Sequence, residues 1–317
     1  MHSMGTWWMW GGFFIFVLLV LAIDLFLVGG NRSHKVSSKE ALSWFLTWVL
    51  CALIFNGLLW WYVSFTQGSA IAHQKALEFF TGYLIEQSLS IDNMFAFIMI
   101  FNYFHVPEEF QRRVLLYGIL SAIVLRLVMI LSGTWLVSQF QWVLYVFGVF
   151  LIFTGIKMLI PGKEENGLNN NAMLHLLRKH MRVTSQFHKE RFFIHQNALW
   201  YATPLFLVLM LIEISDVIFA LDSIPAIFAI TNDPFIIFTS NIFAILGLRA
   251  LYFLLSDMAL RFHLLKYGVA LVLIFIGIKM ILAYWMHLSI LLALGVVVAI
   301  LTTTIILSTL IPAKGLR

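Results

Sequence analysis

Residues 151–158 read LIFTGIKM and residues 273–280 read LIFIGIKM, so seven of the eight positions are identical. The likeness continues upstream of both stretches. Arg126, at the end of AIVLR, aligns with Arg249, at the end of AILGLR. An arginine and a lysine that recur in the same order around a matching apolar stretch indicate an internal repeat.

Acidic residues extend the repeat further upstream, where EQSLSIDN at 86–93 aligns with DVIFALDS at 216–223. In this alignment Glu86 corresponds to Asp216 and Asp92 corresponds to Asp222, in both cases 130 positions later. Chance can give one similar stretch between two apolar helices. It is much less able to align two acids, an arginine and a lysine in the same order.

The composition excludes a water-soluble protein. The chain has 317 residues, of which 62% are hydrophobic and 11% charged, with a mean hydropathy of +0.94. Soluble domains have about 45–50% apolar and about 25% charged residues. The single cysteine, Cys51, excludes an internal disulfide, a CxxC redox pair and a thiolate metal cage.

Apolar runs long enough to cross a bilayer, about 20 residues each, divide the chain into membrane spans. Nine runs are present, at 7–29, 41–65, 77–103, 112–132, 142–160, 199–231, 235–256, 262–283 and 286–311. The expected fold is therefore an all-α polytopic membrane protein. Its predicted parts are two N-terminal spans (1–76), a first three-helix repeat (77–160), a linker (161–198), a second repeat (199–283) and a last span with its tail (284–317).

A repeat of three helices crosses the membrane an odd number of times, so the two copies run in opposite directions. Inverted repeats of this kind are typical of secondary transporters, which bind their cargo near the membrane midplane. The connections on one side of the nine spans hold fifteen Lys and Arg residues, and those on the other side hold only Lys75. The positive-inside rule then places the N-terminus outside and the C-terminus in the cytoplasm.

The linker 161–198 is predicted to be a cytoplasmic tether. It begins polar and rich in asparagine, and it continues as MLHLLRKHMR at 173–182. That stretch is typical of a basic amphipathic helix lying against anionic lipid headgroups. The linker's histidines show no metal-binding spacing.

Six acids and four bases fall inside the predicted spans and away from the span starts. A charge inside a span costs at least about 2.5 kcal/mol on insertion scales. The acids are Asp24, Glu86, Asp92, Glu213, Asp216 and Asp222, and the bases are Arg126, Lys157, Arg249 and Lys279. Asp24 is expected at the interface, and the two lysines lie near helix ends, from which they can snorkel to the surface. The arginines either neutralise the acids of an empty transport site or tie helices together as ion pairs.

The remaining acids, with two neutral neighbours, form the predicted metal site: Glu86, Asp92, Asn93, Glu213, Asp216, Asp222 and Ser223. Asp216 and Asp222 are six residues apart, which rotates a regular helix by about 240° net. Either the helices are broken near the site or the acids line a path. Pro225 favours a break, because it lacks an N–H and frees the carbonyl of Leu221.

An oxygen-only site suits Mg²⁺, Ca²⁺ or Mn²⁺ rather than zinc or copper. Neighbouring carboxylates repel one another, so they cannot all be ionised without a cation, and metal and protons are expected to compete for them. That competition is the physical basis of proton-coupled export.

At EQSLSIDN, EISDVIFALDSIPAIFAIT and SNIFAILGLRALYFLL, the chain resembles the TerC family of integral membrane proteins and, within it, the Alx-like branch. The resemblance implies a manganese exporter of the bacterial inner membrane. It also implies that the family's acidic motifs fall on Glu86, Asp92, Glu213, Asp216 and Asp222. Many members have a lysine where this chain has Gln87.

The sequence therefore predicts a secondary transporter that exports Mn²⁺, by alternating access with proton exchange. It is not expected to be an enzyme, to hold a cofactor tightly or to bind nucleic acid; its partners are the metal ion, protons and membrane lipids. No oligomeric state follows from the sequence. The alternatives are a membrane-bound redox modulator, a stress-response scaffold acting through the linker, and a Ca²⁺ or Mg²⁺ carrier.

Overall fold

The computed structural model describes residues 4–23, 38–140, 142–159, 183–184, 186–188, 190–196, 199–258, 264–282 and 289–310. These residues form nine α-helices and one two-stranded sheet. The helices are α1 (Trp7–Ile23), α2 (Ser38–Gln67), α3 (Ser69–Tyr103), α4 (Glu108–Gln139), α5 (Val143–Leu159), α6 (Pro204–Phe228), α7 (Pro234–Met258), α8 (Leu265–Leu282) and α9 (Ile290–Leu310). Asp24 and the basic stretch 173–182 lie outside the described residues.

The helices confirm the predicted fold class. Seven of those described are long and apolar enough to cross a membrane, and α1 and α5 are shorter apolar helices of 17 residues. The predicted start of the third span, residue 77, is wrong, because α3 begins at Ser69. Hydropathy marks only the apolar part of a helix, and the first turns of α3 carry the polar residues His73, Gln74 and Lys75.

A β-hairpin occupies the end of the linker and the predicted start of the sixth span. Strands β1 (Phe193–Gln196) and β2 (Leu199–Ala202) pair antiparallel. The predicted span start at residue 199 is therefore wrong. The helix begins only at Pro204, whose fixed φ suits a first helical turn.

Helix α7 lies at the centre of the bundle, enclosed by α2, α3 and α4. Phe243 of α7 packs against Phe13, Phe55 and Phe79, with ring centroids 5.8, 5.0 and 6.0 Å away. These three rings come from α1, α2 and α3. One aromatic cluster thus fixes the first three helices against the central one.

Helices α5 and α8 carry the two matching stretches and pack closely against each other. A Cβ on Gly148 would lie 3.0 Å from the carbonyl oxygen of Gly277, and a Cβ on Gly155 would lie 2.7 Å from that of Ala270. Gly148 aligns with Ala270 in the repeat, and Gly155 with Gly277. Each residue therefore contacts the partner of the other, and the two helices run antiparallel. Such reciprocal contacts are expected of two copies related by a pseudo-two-fold axis.

The two ends of the bundle differ. At one end, called the Lys75 end below, α3 and α7 begin and α4, α6 and α8 end around a cavity of about 760 Å³. At the other end, called the Arg113 end, α4 begins and the β-hairpin precedes α6. There Arg113 pairs with Glu190 at 2.9 Å, and Tyr117 contacts Phe192. The mixed-charge cavity and the hairpin therefore lie at opposite ends.

Candidate functional site

A fully buried arginine lies at the centre of the site. Arg126, in the middle of α4, is 0% exposed. Its Nη1 donates hydrogen bonds to Glu86 Oε1 and, at 3.3 Å, to Ser223 Oγ. Its Nη2 donates to Asp216 Oδ1 at 3.4 Å. Two acids that the repeat aligns with each other, Glu86 and Asp216, therefore meet at one guanidinium group.

The fifth residue of this centre is Asn241, on the central helix α7. Its Oδ1 accepts a hydrogen bond from Arg126 Nη1 at 2.5 Å, and its Nδ2 donates to the carbonyl of Ile237 at 3.2 Å. The second bond fixes the amide so that its oxygen faces the arginine. The arginine centre, made of Arg126, Glu86, Asp216, Ser223 and Asn241, thus joins α3, α4, α6 and α7.

Charge explains why these helices converge. Moving an ion out of water costs several kcal/mol even after relaxation, and only close partners of opposite charge offset that cost. Arg126 has two carboxylates and two neutral oxygens around it. With both acids ionised, the arginine centre carries a net charge of −1.

The hydrogen-bonding capacity of the arginine centre is not exhausted. Glu86 Oε2 and Arg126 Nε are buried and have no hydrogen-bond partner among the described residues. Unpaired buried polar atoms are costly, typically by about 1–3 kcal/mol, so they tend to persist where a function needs them. A carboxylate oxygen left unpaired at 0% exposure is a ready ligand for a cation or a proton.

Glu213 lies beside the arginine centre, towards the Arg113 end. It accepts a hydrogen bond from Ser121 Oγ, and it lines a cavity of about 20 Å³ together with Asp216 and Arg249. Gly118 leaves room for this carboxylate, since a Cβ there would lie 3.6 Å from Glu213 Oε1. The structure therefore brings Glu213 and Arg249 next to Asp216 of the arginine centre.

Asp222 lies apart from that centre. Its Oδ1 accepts a hydrogen bond from Thr154 on α5 at 3.2 Å. The predicted helix break at Pro225 is wrong, because α6 continues through Pro225 to Phe228. Pro225 stands in the last turn and removes the hydrogen bond to the carbonyl of Leu221, yet the helix is continuous on both sides of it. An unbroken helix keeps the six-residue rotation between Asp216 and Asp222.

Two other predicted ligands lie on α3. Asn93 is buried and, seven residues after Glu86, shares its helical face. The side chain of Asp92 is outside the part of the chain that the structure describes. Among the described residues no three His, Cys, Asp or Glu side chains lie close enough together to hold a metal ion. The predicted ligand set therefore stays a prediction.

Sequence reasoning missed three polar partners of the site: Asn241, Ser121 and Thr154. Asn241 had a usable signal, because it is a lone amide in the apolar stretch SNIFAILGLR. Ser121 and Thr154 had none, since hydroxyl side chains in membrane helices commonly bond to their own backbone. Ser121 itself also donates to the carbonyl of Tyr117 at 2.9 Å.

Known proteins share the pattern of this chain. The model of the integral membrane protein TerC family matches residues 71–315. The Salmonella typhi protein Alx, named as a proposed membrane-bound redox modulator, is 54% identical over 309 residues, covering 98% of this chain and 96% of its own. The protein of that name from Escherichia coli K12 is 53% identical over 226 residues, covering 71% of this chain and 70% of its own. An uncharacterized membrane protein of Myxococcus xanthus is 43% identical over 224 residues, covering 71% and 67%. No solved structure matches the chain.

Proposed function

The chain belongs to the integral membrane protein TerC family, and on that premise we propose that it exports Mn²⁺ from the bacterial cytoplasm as a secondary transporter. The protein is a multi-pass membrane protein. Its location in the inner membrane, its N-out and C-in orientation and its inverted repeat are parts of the proposal. So are the absence of enzyme activity and of a tightly bound cofactor.

The observation that carries the proposal is the oxygen shell around Arg126. Carboxylate, hydroxyl and amide oxygens surround a positive group at full burial. Such oxygens are also the ligands that hard divalent cations prefer. We propose that Mn²⁺ and the guanidinium of Arg126 alternate as counter-charges of Glu86 and Asp216.

Arg126 thereby offsets one of the two negative charges whenever Mn²⁺ is absent. When Mn²⁺ binds, the guanidinium moves away from one or both carboxylates, and the unpaired Glu86 Oε2 becomes a ligand. Arg249 and Glu213, beside Asp216, supply further charge to balance the intermediate arrangements. Asp222, on the same helix as Asp216, extends the line of carboxylates along the path of the ion.

Protons are the proposed counter-ions. Two protons on Glu86 and Asp216 carry the same charge as one bound Mn²⁺, so exchanging them leaves the charge of the site unchanged. With either occupant and a charged Arg126, the centre carries a net charge of +1, so both directions of exchange move the same charge through the low-dielectric membrane. The ligand chemistry alone suits Mg²⁺ and Ca²⁺ as well, and manganese is chosen on the family resemblance.

Reconstituted protein tests the proposal. We expect purified protein in liposomes with an imposed proton gradient to move Mn²⁺ saturably, as measured with an enclosed metal-sensitive dye. Glu86→Gln, Asp216→Asn, Asp92→Asn and Asp222→Asn should abolish the movement without unfolding the protein. Glu190→Gln is the matched control, because Glu190 forms a half-exposed ion pair at the Arg113 end. Normal transport by folded Glu86→Gln and Asp216→Asn proteins would refute the proposed site.

A redox role is the second candidate, because the relatives from Salmonella typhi and Escherichia coli are named as proposed redox modulators. Cys51 is the only cysteine in the sequence, so a thiol mechanism would need a second molecule. A haem held within the membrane needs axial ligands such as paired histidines. Visible or flavin absorbance of the purified protein, together with no transport of Mn²⁺, Mg²⁺ or Ca²⁺, would favour this candidate over export.

A further inference from the structure

Lys279 is a charged residue inside the bundle that the proposed transport site does not use. It lies near the end of α8 and is 9% exposed. The sequence suggested that it snorkels to the membrane surface. Instead its Nζ donates a hydrogen bond to the carbonyl oxygen of Ala229 at 3.1 Å.

Ala229 caps the C-terminus of α6, the helix that carries Glu213, Asp216 and Asp222. The last carbonyl groups of a helix lack intrahelical donors and carry a partial negative charge, which a cation stabilises. Lys279 therefore ties the end of α6 to α8.

The same contact borders the large cavity at the Lys75 end. Lys279 and Ala229 both line this cavity of about 760 Å³, together with Lys75 and Glu78. Lys75, which also lines this cavity, is already paired with Glu78 at 2.8 Å. The cap on α6 and the open cavity thus occur in one and the same conformer.

The repeat supplies a second lysine at the matching position. Lys157 of LIFTGIKM aligns with Lys279 of LIFIGIKM, yet Lys157 is exposed. The reciprocal glycine contacts between α5 and α8 give the two lysines equivalent positions on their own helix pair. The difference between them is that Lys279 contacts the end of α6, whereas Lys157 lies exposed near the end of α5.

We infer that Lys279 and Lys157 are alternating positioning residues for transport. Lys279 caps α6 in the conformer that is open at the Lys75 end, and Lys157 caps the C-terminal end of α3 in the conformer that is open at the Arg113 end. Each lysine stabilises one access state and releases its helix in the other. This inference rests on the alternating access of the proposed function, and it assigns the two states to named contacts.

Fluorine NMR of a single tagged cysteine tests the inference without measuring transport. In a Cys51→Ser background, Ser138→Cys on the rim of the cavity carries a trifluoromethyl tag, and the protein is placed in lipid nanodiscs. A water-soluble paramagnetic reagent identifies the resonance of the open cavity. Lys279→Gln should lower the ratio of open to closed populations by about 3-fold to about 30-fold, and Lys157→Gln should raise it by a similar factor.

Lys266→Gln is the matched control, because Lys266 is an exposed lysine on the same helix as Lys279. It should leave the populations unchanged. The inference is overturned if both lysine variants change the open-to-closed ratio in the same direction, or if neither variant changes it. Mn²⁺ transport is measured on the same samples. Opposite changes in the populations without Mn²⁺ transport would support the lysine contacts and refute the proposed cargo. Mn²⁺ transport with unchanged populations would support the proposed cargo and refute the lysine contacts.

Discussion

The half of the molecule formed by α3–α5 and the half formed by α6–α8 carry matching charges in different surroundings. Arg126 is fully buried between two acids, whereas its counterpart Arg249 is only partly buried beside Glu213. Lys157 is exposed, whereas its counterpart Lys279 is buried on the end of α6. Identical residue types can therefore serve different contacts in the two halves. Proteins that alternate between two access states need this kind of inequality, because each state exchanges the roles of the halves.

One side-chain difference sharpens the comparison. Thr154 and Ile276 are the only positions that differ between LIFTGIKM and LIFIGIKM. Thr154 is the residue that donates a hydrogen bond to Asp222. The first half thus supplies a hydroxyl group to an acid of the second half, and the isoleucine at the equivalent position has no such group to give.

Replacing Arg126 should give the largest loss of stability and the largest difference between the two halves. Arg126→Met leaves Glu86 and Asp216 buried without a counter-charge, and losing one partner of a buried ion pair costs about 3–5 kcal/mol. Arg249→Met changes the partly buried counterpart of Arg126, and it should lower the free energy of unfolding by less than half as much. Thermal unfolding in detergent measures both. The triple variant Arg126→Met, Glu86→Gln, Asp216→Asn should regain stability, and a triple variant as unstable as the single one would contradict this account.

The hydrogen bond between Thr154 and Asp222 can be tested by changing each residue in turn. Asp222→Asn should abolish export, while Thr154→Val should reduce it by about 10-fold to about 150-fold, because a hydrogen bond to a charged group contributes about 1.5–3 kcal/mol. Ile276→Val is the matched control at the equivalent position. The measurement is Mn²⁺ flux into liposomes at equal protein density. Full activity in Thr154→Val would show that this hydroxyl group does not hold Asp222 for transport.

The glycine contacts between α5 and α8 give the smallest expected effect and test the two-fold relation. A Cβ on Gly277 would lie 2.6 Å from the carbonyl oxygen of Gly148, and one on Gly155 2.7 Å from that of Ala270. Gly155→Ala and Gly277→Ala should each destabilise the protein by about 1–3 kcal/mol, the usual cost of overpacking. Gly57→Ala is the control, since a Cβ there meets nothing within 4 Å. Unequal losses for the two glycines would speak against reciprocal packing.

The sequence by itself determined the class of the molecule and the residues that matter most. Apolar runs give the helices, since a chain in a bilayer must satisfy its backbone hydrogen bonds internally and does so as helices. Charged residues within those runs mark the centre, because their burial is too costly without a purpose. Arg126, Glu86 and Asp216 were accessible from these two rules.

Helix bounds and local irregularities were less accessible. The start of α3 at Ser69 and the β-hairpin before α6 both escaped hydropathy, which measures the preference for lipid and not the backbone conformation. Pro225 suggested a break, but the helix continues through it for three more residues.

Only the tertiary structure decided which polar groups meet. The spacing of Glu86, Asp216 and Asp222 along the chain is the same for a converged site and for a line of carboxylates. Helix rotation and neighbouring helices placed Glu86 and Asp216 on Arg126 and Asp222 on Thr154. They also buried Lys279 and exposed Lys157. Composition and periodicity specify how each helix is built, whereas a contact between two helices depends on the relative rotation and depth at which they pack, which no single segment encodes.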